Sequence, residues 1–180
     1  MSWSLRLATL DDVPALEVLI PLSVRKLQAA TYRTSQIEAA LGTVLGVDSQ
    51  LIRDGTYYVA QVDGIIAGCG GWSRRKTLFG SHHSPVKDDS FLDPATEPAR
   101  IRAFFVHPDW ARQGIGRAIL AACEGAAAGV GFRTLELAST LAGIPLYTAC
   151  GYKSLETIQV PLRDGQTLPV VRMRKDLKLP

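Results

Sequence analysis

Residues 107–120, "HPDWARQGIGRAIL", contain the feature that decides the fold: two glycines where a helix is predicted to begin. Gly114 and Gly116 lie between Gln113 and Arg117. Glycine weakens helices, and Ser, Thr or Asp is the usual residue at a helix start. Without Cβ atoms, a ligand could instead approach the backbone N–H groups of the first turn, which lack partners inside the helix. The pattern predicts either a tight strand-to-helix turn or a phosphate-binding turn.

The residues around this turn favour an anion site without deciding for it. A buried strand, "RIRAFFV" (residues 100–106), precedes the turn and is ended by Pro108. Arg112 and Arg117 flank the glycines and would add charge-assisted contacts to a phosphate. The Lys-Ser/Thr pair of the P-loop and the third glycine of the dinucleotide fingerprint are both absent. An unrelated nucleotide-binding domain is therefore an alternative hypothesis, but such a domain would have to bind its nucleotide without a P-loop lysine.

Composition excludes several classes of protein. The 180 residues are 47% hydrophobic and 21% charged, as in a globular protein that builds its own core. The net charge of +3 is spread along the chain, so no nucleic-acid partner is expected. Three cysteines without C-x-x-C spacing predict neither disulfides nor a metal site. No apolar run is long enough to span a membrane and no signal peptide is evident, so we expect a cytoplasmic protein.

Hydrophobic periodicity predicts about seven strands and about four helices, the composition of a mixed α/β domain. A long polar loop is predicted between the third and fourth strands, over residues 74–99. The predicted strands are residues 4–9, 57–62, 65–72, 100–106, 134–140, 155–162 and 169–177. The predicted helices are residues 10–27, 35–45, a long one from the glycine turn to Gly129, and 142–150.

Two segments together resemble a known family. "ARQGIGRAIL" (residues 111–120), after its strand, and "PLYTACGY" (residues 145–152) resemble the motifs of the GCN5-related N-acetyltransferase (GNAT) superfamily. The resemblance covers residues 4–177 as a single domain. It implies a mixed, mostly antiparallel sheet that is splayed at the strand ending near Val106. It also implies that the protein uses acetyl-CoA to acetylate a primary amine of a small molecule or peptide by direct attack.

The resemblance assigns roles residue by residue. Tyr147 would be the general acid that protonates the departing thiolate. The main chain of Phe104, Phe105 and Val106 would contact pantetheine and the acetyl carbonyl. The pyrophosphate would lie on Arg112, Gln113, Gly114, Ile115, Gly116 and Arg117. Two departures from the family pattern are Ala111, where Gln or Arg is usual, and Ser139, Thr140 and Ala142, where an asparagine is often found.

Four questions stay open at this point: the general base, the acceptor, the alternative function and the oligomeric state. No general base is selected among the candidates, and the acceptor is undetermined, although relatives would place it near Arg25, Tyr32, Arg33 and the long loop. A CoA-binding sensor or interaction module without catalysis is the alternative function. A homodimer could form through an edge strand such as residues 168–173. The candidate bases are Glu38, His82, His83, Asp88, Asp89, Asp93, Glu97 and His107.

Overall fold

A twisted seven-stranded sheet organises the chain in the computed structural model, which describes residues 2–81, 83–84 and 87–178. The strand order is β1-β2-β3-β4-β5-β7-β6, and β4–β5 is the parallel pair among antiparallel neighbours. The strands are β1 Ser4–Leu7, β2 Tyr57–Val62, β3 Ile65–Ser73, β4 Ala99–Val106, β5 Thr134–Thr140, β6 Lys153–Pro161 and β7 Thr167–Asp176. The helices are α1 Val13–Leu27, α2 Thr34–Ala40, α3 Ser49–Arg53, α4 Ile115–Gly129 and α5 Ile144–Ala149. The predicted fold class, a mixed and mostly antiparallel sheet of seven strands, is confirmed.

The helices differ from the prediction between α1 and β2. The second predicted helix, residues 35–45, ends early at Ala40, because Leu41 is extended and Gly42 adopts a positive φ of 86°. The additional helix α3 has only five residues, too few for a hydrophobic period to be visible. It is capped by Asp48, whose Oδ1 accepts a 3.0 Å hydrogen bond from the Gln50 N–H group.

The sheet edge also differs from the expectation. Residues 168–173 belong to β7, which is paired with β5 on one side and β6 on the other. They are therefore interior, and β6 is the edge strand at that end of the sheet. The sequence does not show which strand of this last hairpin lies at the edge, because β6 and β7 have similar alternating patterns on either side of the Asp164-Gly165 turn.

Hydrophobic cores cover both faces of the sheet. On one face α1, α2 and α3 bury Leu16, Ile20 and Leu51. On the other face α4 buries Ile119 and Cys123 among residues of β3, β4 and β5. Within the part of the chain that the structure describes, no helix is long and apolar enough to cross a membrane.

Strand β4 changes face at a bulge. Ala103 has a φ of 57°, and the register with β3 shifts between Cys69 and Gly71. Ile101 and Phe104, three positions apart, both pack in the core beneath α4. In a regular strand, residues an odd number of positions apart point to opposite faces of the sheet, so one extra residue must lie between these two. The extra residue re-aims every side chain from Ala103 to Val106.

The parallel pair β4–β5 then separates. Its register consists of two positions, Ala99 opposite Leu135 and Arg100 opposite Glu136. Beyond them the strands diverge, while β5 continues beside β7 as far as Thr140 opposite Val170. The sheet thus opens into a gap beside the second half of β4, as predicted for the strand that ends near Val106.

The described part of the long loop folds back on itself. Thr77 N–H donates to Asp88 O at 3.1 Å, and Leu92 N–H donates to Arg74 O at 2.8 Å. Leu92 is buried against the α4 side of the sheet. Gly80 O accepts a 2.6 Å hydrogen bond from Arg102 Nη2, which ties the first half of the loop to β4.

Candidate active site

A cleft of about 490 Å³ occupies the gap between β4 and β5 and continues to both faces of the sheet. At one end lies the glycine turn, in the middle the bulged half of β4 with α5, and at the other end the last turns of α1 with the long loop. The lining includes Gln28, Leu45, Phe79 and Arg102 at the α1 end, Phe104, Phe105, Val106, Ser139 and Tyr147 in the middle, and Arg112, Gly114, Ile115, Gly116 and Arg117 at the turn.

The turn exposes backbone donors at the start of α4. Arg112 and Gly114 have positive φ angles of 66° and 87°, which swing the chain sharply into the helix. The first hydrogen bond of the helix runs from Ala118 N–H to Gly114 O at 3.0 Å. The N–H groups of Ile115, Gly116 and Arg117 therefore have no acceptor within the helix, and the helix dipole adds partial positive charge there. Such a helix start suits a phosphate.

Gly114 and Gly116 are favoured at their positions for different structural reasons. A Cβ atom added to Gly114 would meet no protein atom within 4 Å, so open space lies in front of this residue and its positive φ is what favours glycine. A Cβ atom on Gly116 would lie 3.2 Å from Leu146 Cδ2 and 3.8 Å from Val106 Cγ2. Gly116 thus permits the close approach of α4 to α5, in addition to its place at the cleft.

Gln113 is the one predicted cofactor residue that does not line the cleft. Its side-chain Nε2 donates to Asp109 O at 3.3 Å, in the turn that follows β4. Nδ1 of His107 accepts a 3.2 Å hydrogen bond from the Asp109 N–H group, and its ring contacts Trp110 edge-on. Gln113 and His107 therefore brace the turn, and the structure brings the other predicted cofactor residues together at the cleft.

Tyr147 projects from α5 into the middle of the cleft. Its side chain is only 7% exposed, and its ring packs edge-on against Phe104 and Tyr152 with centroid distances of 6.2 and 5.8 Å. Burial raises the pKa of Tyr147 above its ordinary value near 10. The hydroxyl group therefore stays protonated at neutral pH and can act as a proton donor.

One of the hydroxyl groups at the end of β5 is hydrogen-bonded within the protein. Ser139 Oγ donates to Thr140 O at 2.7 Å and sits 2.8 Å from the place where a Gly143 Cβ would be. The serine proton is consequently used locally. Ser139, Thr140 and Ala142 do line the cleft, in the region where the family often has an asparagine.

The predicted bases and acceptor contacts lie elsewhere. Glu38 forms a bidentate ion pair with Arg25 at 2.7 and 2.9 Å, outside the cleft. Tyr32 is a structural link, because its hydroxyl donates to Pro169 O at 2.6 Å and accepts from Leu141 N–H at 3.0 Å. His82 is not among the described residues. The other predicted groups that do not line the described cleft are Arg33, His83, Asp88, Asp89, Asp93, Glu97 and His107.

The residues missed by sequence analysis are buried polar groups at the α1 end. Arg102 of β4 has a side chain only 4% exposed, and its Nη2 lies 2.8 Å from Asp48 Oδ2. Burial lowers the pKa of Arg102 below the usual arginine value, and an arginine side chain stays charged at neutral pH. Gln28, the residue that follows α1, is likewise buried at the cleft. The available signal was an arginine inside the apolar run "RIRAFFV", where a buried charge needs a partner.

The fold contains an elongated cleft that runs from the free N–H groups at the start of α4 past the buried Tyr147 to the end of α1. A family model described as "Acetyltransferase (GNAT) domain" matches residues 53–154, more than half of the chain. The protein therefore belongs to the GNAT acetyltransferase family, and membership makes it an acyltransferase that uses acetyl-CoA. No match is found among curated protein sequences.

Solved structures share the whole fold at low sequence identity. A GCN5-related N-acetyltransferase from Rhodopseudomonas palustris is 18% identical with a TM-score of 0.72, covering 98% of this chain and 97% of that one. The PaiA N-acetyltransferase from Thermoplasma acidophilum, in complex with coenzyme A, is 15% identical with a TM-score of 0.68, covering 98% and 100%. The yncA protein from Salmonella typhimurium, with its cofactor acetyl-CoA, is 18% identical with a TM-score of 0.63, covering 100% and 96%.

Proposed function

We propose that this protein is an N-acetyltransferase that transfers the acetyl group of acetyl-CoA to a primary amine of a small molecule or peptide. The observation that carries the proposal is the single cleft that joins the glycine turn, the β4–β5 gap and Tyr147. A single catalytic domain over residues 4–177 is part of the proposal, supported by one sheet whose strands run from Ser4 to Asp176.

The glycine turn fits the pyrophosphate of CoA. Its support is the set of free N–H groups at the start of α4 and the open space in front of Gly114. The exposed guanidinium groups of Arg112 and Arg117 add charge at the mouth of the cleft. Gln113 contributes backbone at this turn, since its side chain bonds to Asp109.

The bulged half of β4 fits the pantetheine arm. Because β5 leaves β4 after Arg100, the main-chain groups on that side of Phe104 to Val106 lie beside the gap rather than beside a neighbouring strand. An extended ligand can then pair with them as a strand would. A backbone N–H near Val106 would stabilise the oxyanion, a contact worth about 3 kcal/mol in comparable sites.

Bound acetyl-CoA supplies a thioester, whose carbonyl carbon bonds to the amine nitrogen as the C–S bond breaks. Tyr147 gives its hydroxyl proton to the departing sulfur, the nitrogen releases one N–H proton to water as it becomes an amide, and Tyr147 regains a proton from water. Burial raises the pKa of Tyr147 and keeps its hydroxyl group protonated until the thiolate forms, and the same burial makes the thiolate more basic, so that it accepts the proton more readily. Direct attack needs no protein nucleophile, and burial raises the pKa of Cys69 to about 12, which keeps that thiol unreactive.

Calorimetric titration of acetyl-CoA tests the cofactor site. Gly114→Trp fills the space at the turn, and Gly64→Trp is a matched control because Gly64 has a φ of 81° and equally open surroundings in the β2–β3 turn. Binding that is lost only in Gly114→Trp supports the proposal. Failure of the folded wild type to bind acetyl-CoA overturns it.

An amine screen then distinguishes an enzyme from the alternative, a CoA-binding sensor or interaction module. Release of free thiol with a primary amine supports the enzyme. Tight acetyl-CoA binding without thiol release for any amine in a broad panel identifies the sensor.

Two further parts of the proposal concern the setting of the enzyme. Three free cysteines, two of them buried, suit a reducing compartment such as the cytoplasm. A homodimer would use β6, the edge strand with the half-exposed Leu155, and sedimentation at micromolar concentration would detect it.

A further inference from the structure

We propose that the acceptor is a small primary amine with an apolar body and a carboxylate group, and that Arg102 binds this carboxylate at the α1 end of the cleft. An apolar amino acid has this chemistry. The inference rests on the proposed acetyl transfer and names its substrate class.

Arg102 is fixed by contacts with the protein, but one N–H donor of its guanidinium group has no acceptor among the described residues. Nη2 donates a 2.6 Å hydrogen bond to Gly80 O in the long loop and lies 2.8 Å from Asp48 Oδ2. Nε is fully buried and has no hydrogen-bond partner among the described residues, although Arg102 lines the cleft. A buried N–H group is costly to leave unpaired, so this donor calls for a ligand acceptor.

Gln28 presents a second unpaired atom at the same end. Its Oε1 is buried in the cleft wall at the C-terminal end of α1 and accepts no hydrogen bond from the described residues. An amide oxygen accepts N–H groups, and a primary amine carries them. Arg102 and Gln28 therefore offer one donor and one acceptor, the complement of a molecule with a carboxylate and an amine.

The charge around the cleft selects an anionic rather than a polycationic acceptor. The cleft lining in the described chain contains Arg102, Arg112 and Arg117 but no aspartate or glutamate. Behind the wall, Asp48 faces both Arg102 and Lys87, whose Nζ lies 3.2 Å from Asp48 Oδ1. Asp48, together with Asp89 farther from Arg102, offsets these two cations behind the wall, whereas the described lining itself carries arginine and no carboxylate. A polyamine would have no counter-charge here, whereas a carboxylate would.

The remaining surface at the α1 end is apolar. Leu27, Val44, Leu45, Leu78 and Phe79 line this part of the cleft. Burial of an apolar group there is favourable in proportion to its area. The acceptor body is therefore hydrocarbon, with its polar groups limited to those that Arg102 and Gln28 satisfy.

Binding of leucine to the CoA-loaded protein, measured by calorimetry, is the first test. Leucine amide and isopentylamine are the matched probes, since the first loses only the negative charge and the second loses the whole carboxyl group. Spermidine is the polycationic probe. We expect leucine to bind at least about tenfold more tightly than each of the three, as one charge-assisted contact predicts.

Arg102→Lys is the diagnostic variant, because it keeps a cation opposite Asp48 but removes the Nε donor. The preference for leucine over its amide should fall about tenfold, while acetyl-CoA affinity stays unchanged. Arg100→Lys is the control, since Arg100 lies on the same strand, is largely buried and pairs with Glu136 outside the cleft. It should leave the preference intact.

Equal binding of leucine and its amide, tighter binding of spermidine, or an unchanged preference in Arg102→Lys overturns the inference. Because acceptor binding is measured without turnover, these outcomes stand apart from a failure of acetyl transfer. A protein that binds leucine through Arg102 but acetylates no amine in the panel would support the carboxylate site at Arg102 and refute the proposed acetyl transfer.

Discussion

The hydroxyl group of Tyr57 donates a 2.8 Å hydrogen bond to the carbonyl oxygen of Ala103, the residue at which β4 changes face. Tyr57 is fully buried on β2, two strands away from β4 and the gap beside it. A non-glycine residue with a positive φ is strained and persists only when its surroundings hold it. This hydrogen bond is one of the contacts that hold the bulge and hence orient Phe104 to Val106.

Tyr57→Phe should therefore affect both stability and catalysis. The variant removes the hydrogen-bond donor of the Ala103 carbonyl, so we expect the free energy of unfolding to fall by about 1–3 kcal/mol. A relaxed bulge would also misplace the backbone donors near Val106 and lower kcat/KM for acetyl-CoA. Urea denaturation and steady-state kinetics measure the two effects. Tyr58→Phe, on the neighbouring half-buried residue, should show neither, and wild-type kinetics in Tyr57→Phe would contradict this role.

Tyr147→Phe should remove the proton donor and little else. We expect kcat to fall by about 10²-fold or more, because positioned acids contribute about 10²–10⁴-fold, with acetyl-CoA affinity unchanged. The phenyl ring keeps its edge contacts with Phe104 and Tyr152. Pre-steady-state acetylation and calorimetry measure the two quantities.

The control for Tyr147 is Tyr152→Phe. Tyr152 is also buried and packs against Tyr147, but it does not line the cleft. A loss of kcat as large in Tyr152→Phe as in Tyr147→Phe would show that packing, and not the hydroxyl proton, is responsible.

The sequence predicted the elements that depend on local patterns, but not the contacts between residues that are distant in the chain. The β2–β3 hairpin follows from two alternating runs around Asp63-Gly64, and β2 begins and ends at the predicted residues. The glycine turn is similarly local. Arg102 was missed because its burial depends on Asp48 and Gly80, which the fold brings together from distant segments. The position of β6 at the edge depends on pairing order, which hydrophobic alternation in a single strand does not encode.

Gly70→Ala should disturb the centre of the cleft from the opposite strand. A Cβ atom at Gly70 would lie 2.6–2.8 Å from three ring carbons of Phe104, closer than real contacts allow. The Phe104 ring must then move, which breaks its edge contact with Tyr147. We expect a loss of about 1–3 kcal/mol in the free energy of unfolding, together with a lower kcat.

A double-mutant cycle tests the cause. Phe104→Leu in the Gly70→Ala background removes the flat ring that the new methyl group meets, so stability should partly recover. Additive losses in the double variant would mean that Gly70 is needed for another reason.

Asp54 and Arg75 join the end of α3 to the start of the long loop, and their ion pair should make stability depend on acid pH. Arg75 donates to Asp54 through Nε at 2.7 Å and Nη2 at 2.9 Å, with both side chains mostly buried. This pairing lowers the pKa of Asp54 in the folded protein. A lowered carboxyl pKa stabilises the fold above the unfolded-state value near 4, and the contribution is lost as pH falls through the folded-state value.

Asp54→Asn should therefore be less stable than wild type by about 1–2 kcal/mol at pH 7, with the difference shrinking below pH 4. Urea denaturation of both proteins between pH 7 and pH 3 measures it, with Asp176→Asn, an exposed carboxylate at the end of β7, as the control. A difference that stays constant down to pH 3 would show that the amide disturbs packing rather than removing the ion pair.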